Sequence, residues 1–230
     1  MKNLITILAI LLAASSLVSC GSASSFTTLA DKYPGMYEEQ PTSIVIMPPI
    51  NQTNHVEAKD YFYTTLYSLL CEKGYYVYSP YLTMEMFQQE SAYDSELFLE
   101  GNLSKFREVL GADAAMFTII KDWRRNNIGG SLTVDIQYIL RSTKTGQTLY
   151  SRGGNITVDT SINTGAGGWI GLLADMAATA LATAATDKIV AGRRCNVYVL
   201  SDLPKGRYSS FFGKDQKNPA GKDHITATVR

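Results

Sequence analysis

The chain has 230 residues, a length that suits one large domain or a domain with a leader and tails. Hydrophobic residues make up 45% of it and aromatic residues 10%, which excludes an intrinsically disordered protein. Basic and acidic residues number 21 each, so the chain lacks the net positive charge that drives nucleic-acid binding. The two histidines, His55 and His224, are too few for a His-rich metal site and leave few side chains for nucleophilic catalysis. Composition therefore favours a non-enzymatic protein without a metal or a cofactor.

The first 19 residues have the features of a secretory signal peptide. A single charge at Lys2 precedes the apolar run Leu4–Leu12, and small residues lead to Cys20. The run is shorter than the roughly 20 apolar residues that a membrane span needs. The four residues Leu17–Cys20 resemble the bacterial lipobox, in which the cysteine receives a diacylglyceryl group and becomes the new N-terminus. We therefore predict that Cys20 is acylated and anchors the chain in a lipid bilayer; the alternative is an uncleaved anchor with a chance cysteine.

The residue after the predicted acylation site indicates which of the two envelope membranes holds the protein. Gly21 stands where an aspartate would favour retention in the inner membrane, and no acidic run follows that would direct export to the cell surface. We therefore predict a lipoprotein of the outer membrane that faces the periplasm.

The remaining cysteines, Cys71 and Cys195, both lie beside apolar runs. This context favours two buried free thiols. A disulfide between them is the alternative, because the predicted export route leads to an oxidising compartment.

The first half of the chain predicts a βαβ unit. Residues 20–40 show no sustained periodicity and are interpreted as a tether between lipid and fold. A buried strand follows at Ser43–Met47, and a helix over residues 57–73 ends at Gly74. A second strand at Tyr75–Tyr78 completes the unit. Two further helices, near residues 83–89 and ending at Leu110, precede an apolar strand over residues 114–120.

The second half predicts an antiparallel meander and a long helix. Apolar and polar side chains alternate over Ser131–Arg141, and a turn at Lys144–Gly146 leads into a pairing strand over Gln147–Arg152. A long Ala-rich helix is predicted over Trp169–Val190, and an edge strand at Val197–Leu200. The predicted fold is therefore α/β, a mixed sheet with flanking helices over residues 41–204, followed by a loosely packed tail over residues 205–230.

Three patterns that carry chemistry in other proteins have structural explanations here. The Gly-rich loop over residues 165–168 opens a helix but lacks the Lys-Ser/Thr of a phosphate-binding loop. His55, Glu57 and Asp60 lie at a helix start, where acidic residues complement the helix dipole. The basic, aromatic stretch over residues 123–125 is too small to indicate nucleic-acid binding. We therefore predict no catalytic residue and no metal site.

The loop Pro48-Pro49-Ile50-Asn51 is the candidate interaction site. It follows the first strand, at the carboxyl end where open α/β sheets place their binding crevices. The two prolines fix its backbone, and Ile50 would be costly to expose without a partner. The alternative is a rigid turn that caps the sheet, with Ile50 packed inward.

Several stretches in a fixed order resemble a known family over nearly the whole mature chain. Ser43–Thr53 looks like its opening strand and Pro-Pro-hydrophobe-Asn loop, and Lys73–Val77 looks like its second strand. Gly111–Trp123 and Leu203–Tyr208 are similar to its later segments. The family comprises outer-membrane lipoproteins of unknown function. The resemblance implies a fold similar to the amino-terminal domain of the TolB envelope protein, no known catalytic residues, and association with lipoproteins similar to the curli-secretion pore.

These observations favour a non-enzymatic envelope lipoprotein that assembles or regulates an outer-membrane-associated, curli-pore-like complex. The resemblance implies a curli-pore-like lipoprotein as partner, and an open edge at the strand Leu132–Leu140 together with the Ala-rich helix favours a homodimer. One alternative is a periplasmic small-ligand-binding protein or enzyme, which a deep polar pocket around His55 would favour. Another is a pore subunit that inserts residues 157–169 as a membrane hairpin, but this stretch lacks the apolar alternation of a lipid-facing strand.

Overall fold

A computed structural model describes residues 26–89, 94–126, 131–159 and 180–229. The strands within these ranges are β1 Ser43–Ile46, β2 Ile50–Asn51, β3 Tyr76–Val77, β4 Ala114–Asn126, β5 Ser131–Ser142, β6 Thr148–Asp159 and β7 His224–Val229. The helices are α1 Leu29–Lys32, α2 Pro34–Glu39, α3 Ala58–Glu72, α4 Pro80–Gln89, α5 Glu96–Leu99, α6 Ser104–Leu110 and α7 Ala180–Val199.

These strands form one mixed sheet in the order β3-β1-β4-β5-β6-β7, with the short β2 paired to β4. Strand β1 is parallel to both β3 and β4, so β1, α3 and β3 make the predicted βαβ unit. Strands β4, β5 and β6 are antiparallel neighbours, which confirms the predicted meander. Strand β7 extends the sheet parallel to β6. The predicted fold class, a mixed α/β sheet with flanking helices, is therefore confirmed.

Helices pack on both faces of this sheet. On one face, α3 and α7 bury Phe62 and the β5 residue Tyr138 in a core that also includes α1 and α2. On the other face, α4 and α6 place Phe87 and Phe106 against Phe117 of β4. Full burial of side chains of this size stabilises a fold by roughly 1.5–3 kcal/mol each. The two cores hold the parallel strands β1 and β4 from both sides.

Local sequence sets the ends of several helices. The Thr28 hydroxyl oxygen accepts a hydrogen bond from the Asp31 amide at 3.2 Å, and Asp31 Oδ2 accepts one from the Thr28 amide at 3.2 Å, which starts α1. Helix α3 stops before Gly74, whose φ of +92° favours glycine, and α6 stops at Gly111 with a φ of +71°. Both glycine stops confirm the predicted helix ends.

The alternation in β5 is confirmed, but its predicted open edge is wrong. The apolar residues from Leu132 to Leu140 are buried at every second position. Strand β5 pairs with β4 on one side and with β6 on the other, so it lies inside the sheet. Among the described strands, the outermost ones are β3 and β7.

The predicted tether is wrong for its described part, residues 26–40. Helices α1 and α2 fill this stretch, and Leu29, Tyr33 and Met36 are buried in the core. These three residues are spaced by four and three, the spacing of one helical face, although Tyr33 lies between the two short helices. The pattern covers only two turns and is interrupted by Pro34, so a search for sustained periodicity misses it.

The predicted loose tail is also wrong for residues 205–229. Strand β7 pairs with β6 from Gly153–His224 to Val158–Val229. The preceding turns are bonded to the domain, since the Gly206 amide donates to Lys73 O at 2.9 Å. The polar composition of the segment conceals the period-two pattern of β7, whose side chains alternate between exposed and partly buried.

Val197–Leu200 is not an edge strand, because α7 continues to Val199. The residues Cys195 and Val199, four apart, are buried on the core side of the helix. The predicted Ala-rich helix begins at residue 169, and residues 169–179 lie outside the described ranges. None of the described helices combines the length and the apolar character that a membrane crossing requires.

Cys71 and Cys195, the two cysteines within the described ranges, are free thiols, so the alternative of a disulfide is not supported. Cys195 is buried, as predicted, whereas Cys71 is exposed. The apolar neighbours Leu69 and Leu70 misled the prediction for Cys71, because they occupy the inner side of α3 while Cys71 lies on its outer side.

Candidate functional site

The predicted interaction loop lies at the carboxyl edge of the parallel strands. Pro48 and Pro49 connect β1 to β2, in which Ile50 is the register partner of Ile119. All three loop residues before Asn51 are buried, and Ile50 is only 4% exposed. Ile50 therefore packs inward, as the rigid-turn alternative expects, and Asn51 is the first partly exposed residue of the loop.

Asn51 organises the residues that follow the loop. Its Nδ2 donates to His55 O at 2.7 Å, and its Oδ1 accepts hydrogen bonds from the Thr53 amide at 3.1 Å and the Thr53 hydroxyl at 2.8 Å. The Thr53 hydroxyl oxygen accepts a further hydrogen bond from the His55 amide at 3.1 Å. Such side-chain bonds to the local backbone fix a turn. They hold in place a turn that leads to Val56, which is 81% exposed.

An open groove of about 320 Å³ lies between this turn, α3, β4 and α7. Its lining residues are Asn54, His55, Val56, Glu57, Ala58, Tyr61, Trp123 and Lys188. The Trp123 ring is stacked with the Tyr61 ring at a centroid distance of 6.2 Å and meets the Phe62 ring edge-on at 5.9 Å. Because Trp123 is itself buried, these contacts give the groove a rigid aromatic base.

The charged groups of the groove are paired with one another. Lys188 Nζ lies 2.7 Å from Glu57 Oε2, and the Tyr61 hydroxyl donates to the same oxygen at 3.2 Å. Lys188 Nζ also lies 5.7 Å from the centre of the Tyr61 ring, within the range of a cation–π contact. The three side chains connect α7 to the start of α3.

This pairing moves the pKa values of Glu57 and Lys188 further from neutral pH. The hydrogen bond from Lys188 lowers the pKa of Glu57, and the same bond raises the pKa of Lys188. A general acid or base works best when its pKa lies near the working pH. Glu57 and Lys188 therefore keep their charges near neutral pH and form an ion pair at the groove.

The described residues offer little else for covalent or metal chemistry. Burial raises the pKa of the Cys195 thiol to about 12, so the reactive thiolate is not available near neutral pH. In the part of the chain that the structure describes, no three His, Cys, Asp or Glu side chains form a set that could hold a metal ion.

The structure brings only some of the residues considered in the sequence together. His55 and Glu57 line the groove, while Asp60 lies in the first turn of α3, where its charge complements the helix dipole. Trp123 lines the groove as well, and Arg124 forms an exposed ion pair with Asp122. The predicted acylation site, residue 20, and the Gly-rich loop over residues 165–168 lie outside the described residues.

Tyr61 and Lys188 are groove residues that the sequence does not reveal. The one signal for Lys188 is a pair of charges at residues 187–188 within an Ala- and Thr-rich run. Its partner Glu57 is 131 residues away in sequence, so only the packing of α7 on α3 brings the two together.

Comparison with known proteins gives a family and several similar structures. The family described as "Putative lipoprotein GNA1162-like" matches residues 31–201. The protein named "Putative lipoprotein NMB1124/NMB1162" from Neisseria meningitidis serogroup B (strain ATCC BAA-335 / MC58) is 25% identical over 158 residues, which are 68% of this chain and 73% of that protein. The crystal structure of lipoprotein GNA1162 from Neisseria meningitidis has a TM-score of 0.48 and 22% identity, covering 62% of this chain and 99% of that one. The PelC dodecamer from Paraburkholderia phytofirmans has a TM-score of 0.44 and 12% identity, covering 72% of this chain and 90% of that one.

The family match begins in α1 and ends just after α7, so it includes β1 to β6, the candidate loop and every lining residue of the groove, and it ends before β7. Since it spans well over half of the sequence, the chain belongs to the GNA1162-like lipoprotein family.

Proposed function

We propose that this protein is a lipid-anchored component of the outer membrane, facing the periplasm, that assembles or regulates a multi-protein complex without catalysing a reaction. Membership of a lipoprotein family and the lipobox-like residues 17–20 support acylation at Cys20. Gly21 after that cysteine supports the outer membrane. The acyl chains would hold the protein on the bilayer, because each buried methylene contributes roughly 0.8 kcal/mol.

The observation that carries the non-enzymatic part is the pairing inside the groove. Glu57, Tyr61 and Lys188 satisfy one another, and both charged groups have pKa values displaced away from neutrality. A catalytic pair needs a proton that moves near the working pH. Aromatic residues are enriched in partner-binding surfaces, and charged groups such as this pair occur at the polar rim of such surfaces.

The partner-binding surface is proposed to be the turn at residues 53–57 together with the groove beside it. Val56 is 81% exposed on a turn that Asn51 fixes, and an exposed apolar side chain on a rigid turn is suited to insertion into a partner. The partner is proposed to be a curli-pore-like envelope lipoprotein, which the resemblance of the sequence implies.

A photo-reactive amino acid at position 56 tests this proposal in intact envelopes. We expect one dominant crosslinked envelope protein. The same amino acid at Val109, which is 71% exposed on α6 across the sheet, is the matched control and is expected to give no such product. Equal products at both positions, or none at Val56, would contradict the proposed surface.

Self-association belongs to the same proposal. Strand β7 is an outermost strand of the described sheet, and Thr226 and Thr228 are exposed along it. A second copy that pairs with β7 would extend the sheet across a twofold axis and give a homodimer. Light scattering tests this step: a monomeric mass at high micromolar concentration would exclude it.

A small ligand in the groove is the second candidate function. The volume of about 320 Å³ and the stacked Tyr61 and Trp123 rings favour it, since ligand sites combine aromatic walls with a few polar groups. Native mass spectrometry of protein purified from envelopes would reveal such a ligand as a fixed added mass, which Lys188→Ala should remove.

A further inference from the structure

The C-terminal segment, residues 203–223, presents exposed aromatic and basic side chains. Its backbone makes successive i→i+3 hydrogen bonds, from the amides of Ser209, Phe212 and Lys214 to the carbonyl oxygens three residues earlier, at 3.0–3.1 Å. The exposed side chains along these turns include Tyr208, Phe211, Lys214 and Lys217. Tyr208 is 70% exposed and Phe211 is 62% exposed.

The other side of the same turns is fixed to the domain. Asp215 is buried, and its carboxylate accepts hydrogen bonds from the Tyr37 hydroxyl at 3.2 Å and the Lys205 amide at 2.7 Å. The Tyr208 amide donates to Gly74 O at 2.9 Å. The backbone that carries the exposed aromatic rings is therefore fixed to the domain. It keeps these rings in water, although their exposure is unfavourable.

This segment lies beside the start of the described chain. The Ala220 amide donates to Thr27 O at 2.8 Å, and the Leu29 amide donates to Asn218 O at 2.9 Å. Phe26, the residue before this contact, is 57% exposed. It is six residues after Cys20, a length of chain that spans about 22 Å at most when fully extended. An acyl group on Cys20 would thus keep this side of the domain close to the bilayer.

The charge of the segment matches a phospholipid surface. It contains five basic residues, Lys205, Arg207, Lys214, Lys217 and Lys222, and two acidic ones, Asp215 and Asp223. Asp215 is buried, and Asp223 is paired with Lys32 at 2.8 Å. The outward charge is therefore positive, although the chain as a whole is neutral. Aromatic rings close to basic side chains are typical of surfaces that lie at the level of lipid headgroups.

We propose that the aromatic–basic face, defined as Phe26, Tyr208, Phe211, Lys214 and Lys217, docks on the bilayer surface. The aromatic rings would insert among the headgroups, and the two lysines would bind anionic phospholipid. This contact adds to the acyl chains and fixes the orientation of the domain. The proposed docking rests on the proposed lipid anchor, but it also requires the folded domain itself to contact the bilayer.

Fluorescence quenching by brominated lipids tests the docking with the acylated protein in vesicles of phosphatidylethanolamine and phosphatidylglycerol. Tyr208→Trp places a reporter on the face. Tyr81→Trp, at a tyrosine that is 79% exposed on α4, is the matched control. The signal of the parent protein, from its own tryptophans, is subtracted. We expect strong quenching for Tyr208→Trp and little for Tyr81→Trp.

Charge reversal tests the lipid chemistry. Lys214→Glu with Lys217→Glu in the Tyr208→Trp protein should reduce quenching, as should vesicles of phosphatidylcholine alone, since each lysine near an anionic surface contributes about fivefold in affinity. Equal quenching at the two reporter positions would overturn the proposal. So would quenching that neither the charge reversal nor the phosphatidylcholine vesicles reduce. Flotation of the vesicles separates the two hypotheses: protein that fails to float lacks the anchor, whereas protein that floats without quenching at position 208 lacks the docking.

Discussion

Asp202→Ala is expected to destabilise the domain by about 3–5 kcal/mol, because it leaves Arg152 as an uncompensated buried charge. The Asp202 Oδ1 atom lies 3.0 Å from Arg152 Nη1 and accepts a hydrogen bond from the Tyr150 hydroxyl at 2.9 Å. Its Oδ2 atom accepts hydrogen bonds from the Tyr33 hydroxyl at 3.1 Å and the Gly221 amide at 3.0 Å. The Asp202 carboxylate therefore connects the residue before α2, strand β6 of the meander and the C-terminal segment.

The magnitude follows from burial. The side chains of Arg152 and Asp202 are 5% and 8% exposed, so loss of one partner leaves the other without water to solvate it. The matched control is Asp122→Ala, which breaks the exposed pair between Asp122 and Arg124, with side chains 35% and 70% exposed. An exposed pair contributes at most about 1 kcal/mol.

Urea unfolding of the purified variants, followed by circular dichroism and linear extrapolation, measures both changes. Adding Arg152→Met to Asp202→Ala should recover part of the lost stability, because the orphaned charge is then removed. An Asp202→Ala protein that loses no more stability than Asp122→Ala would refute the assignment of this pair as the junction of the fold.

Four further outcomes are expected. Cys20→Ala should abolish fatty-acid labelling of the protein in cells, and unchanged labelling would exclude this cysteine as the anchor. Asn51→Ala should weaken recovery of the crosslinked partner, because it releases the turn that carries the proposed surface; a large fall in the melting temperature would instead show that the loop is chiefly a structural cap. Gly74→Ala should lower the free energy of unfolding in urea by at least about 2 kcal/mol, because the φ of Gly74 is +92° and a Cβ would collide with the backbone of the C-terminal segment. Gly213→Ala should cost less, because Gly213 has a φ of +68° and open space around it. Burial lowers the pKa of Lys73 to about 8 from its ordinary 10.5, so the unfolded chain binds the extra proton between these values and the contribution of Lys73 to stability rises with pH over this range. Burial raises the pKa of the Cys195 thiol and acts in the opposite direction, so the measurement is the difference between the pH profiles of the parent protein and Lys73→Met, and the gain in stability of the parent relative to the variant should grow from about pH 8 to 10.

Strong local patterns in the sequence predict most of the sheet. The alternation from Leu132 to Leu140 predicts β5, and Gly74 and Gly111 predict where two helices end. Such patterns succeed because burial on one face and positive φ impose simple demands on residue type. The order of these elements is enough to predict the βαβ unit and the meander.

Features that depend on distant contacts are not predictable in this way. Strand β7 is short and follows a polar segment, and it forms because β6 offers an edge for pairing. The groove needs Lys188 to meet Glu57 across the packed helices α7 and α3. The buried Arg152–Asp202 pair likewise joins two segments that are far apart in the chain. Each of these depends on tertiary packing, which local residue patterns do not encode.

The most direct test of the central claim is the composition and mass of the complex that the acylated protein forms when it is extracted gently from envelopes. A lipid-anchored assembly component should be recovered with a second envelope protein, and the mass should exceed that of one chain and its detergent. Recovery of the protein as a monomer, with no envelope partner after crosslinking in intact cells, would contradict the claim and favour the alternative of a ligand-binding protein.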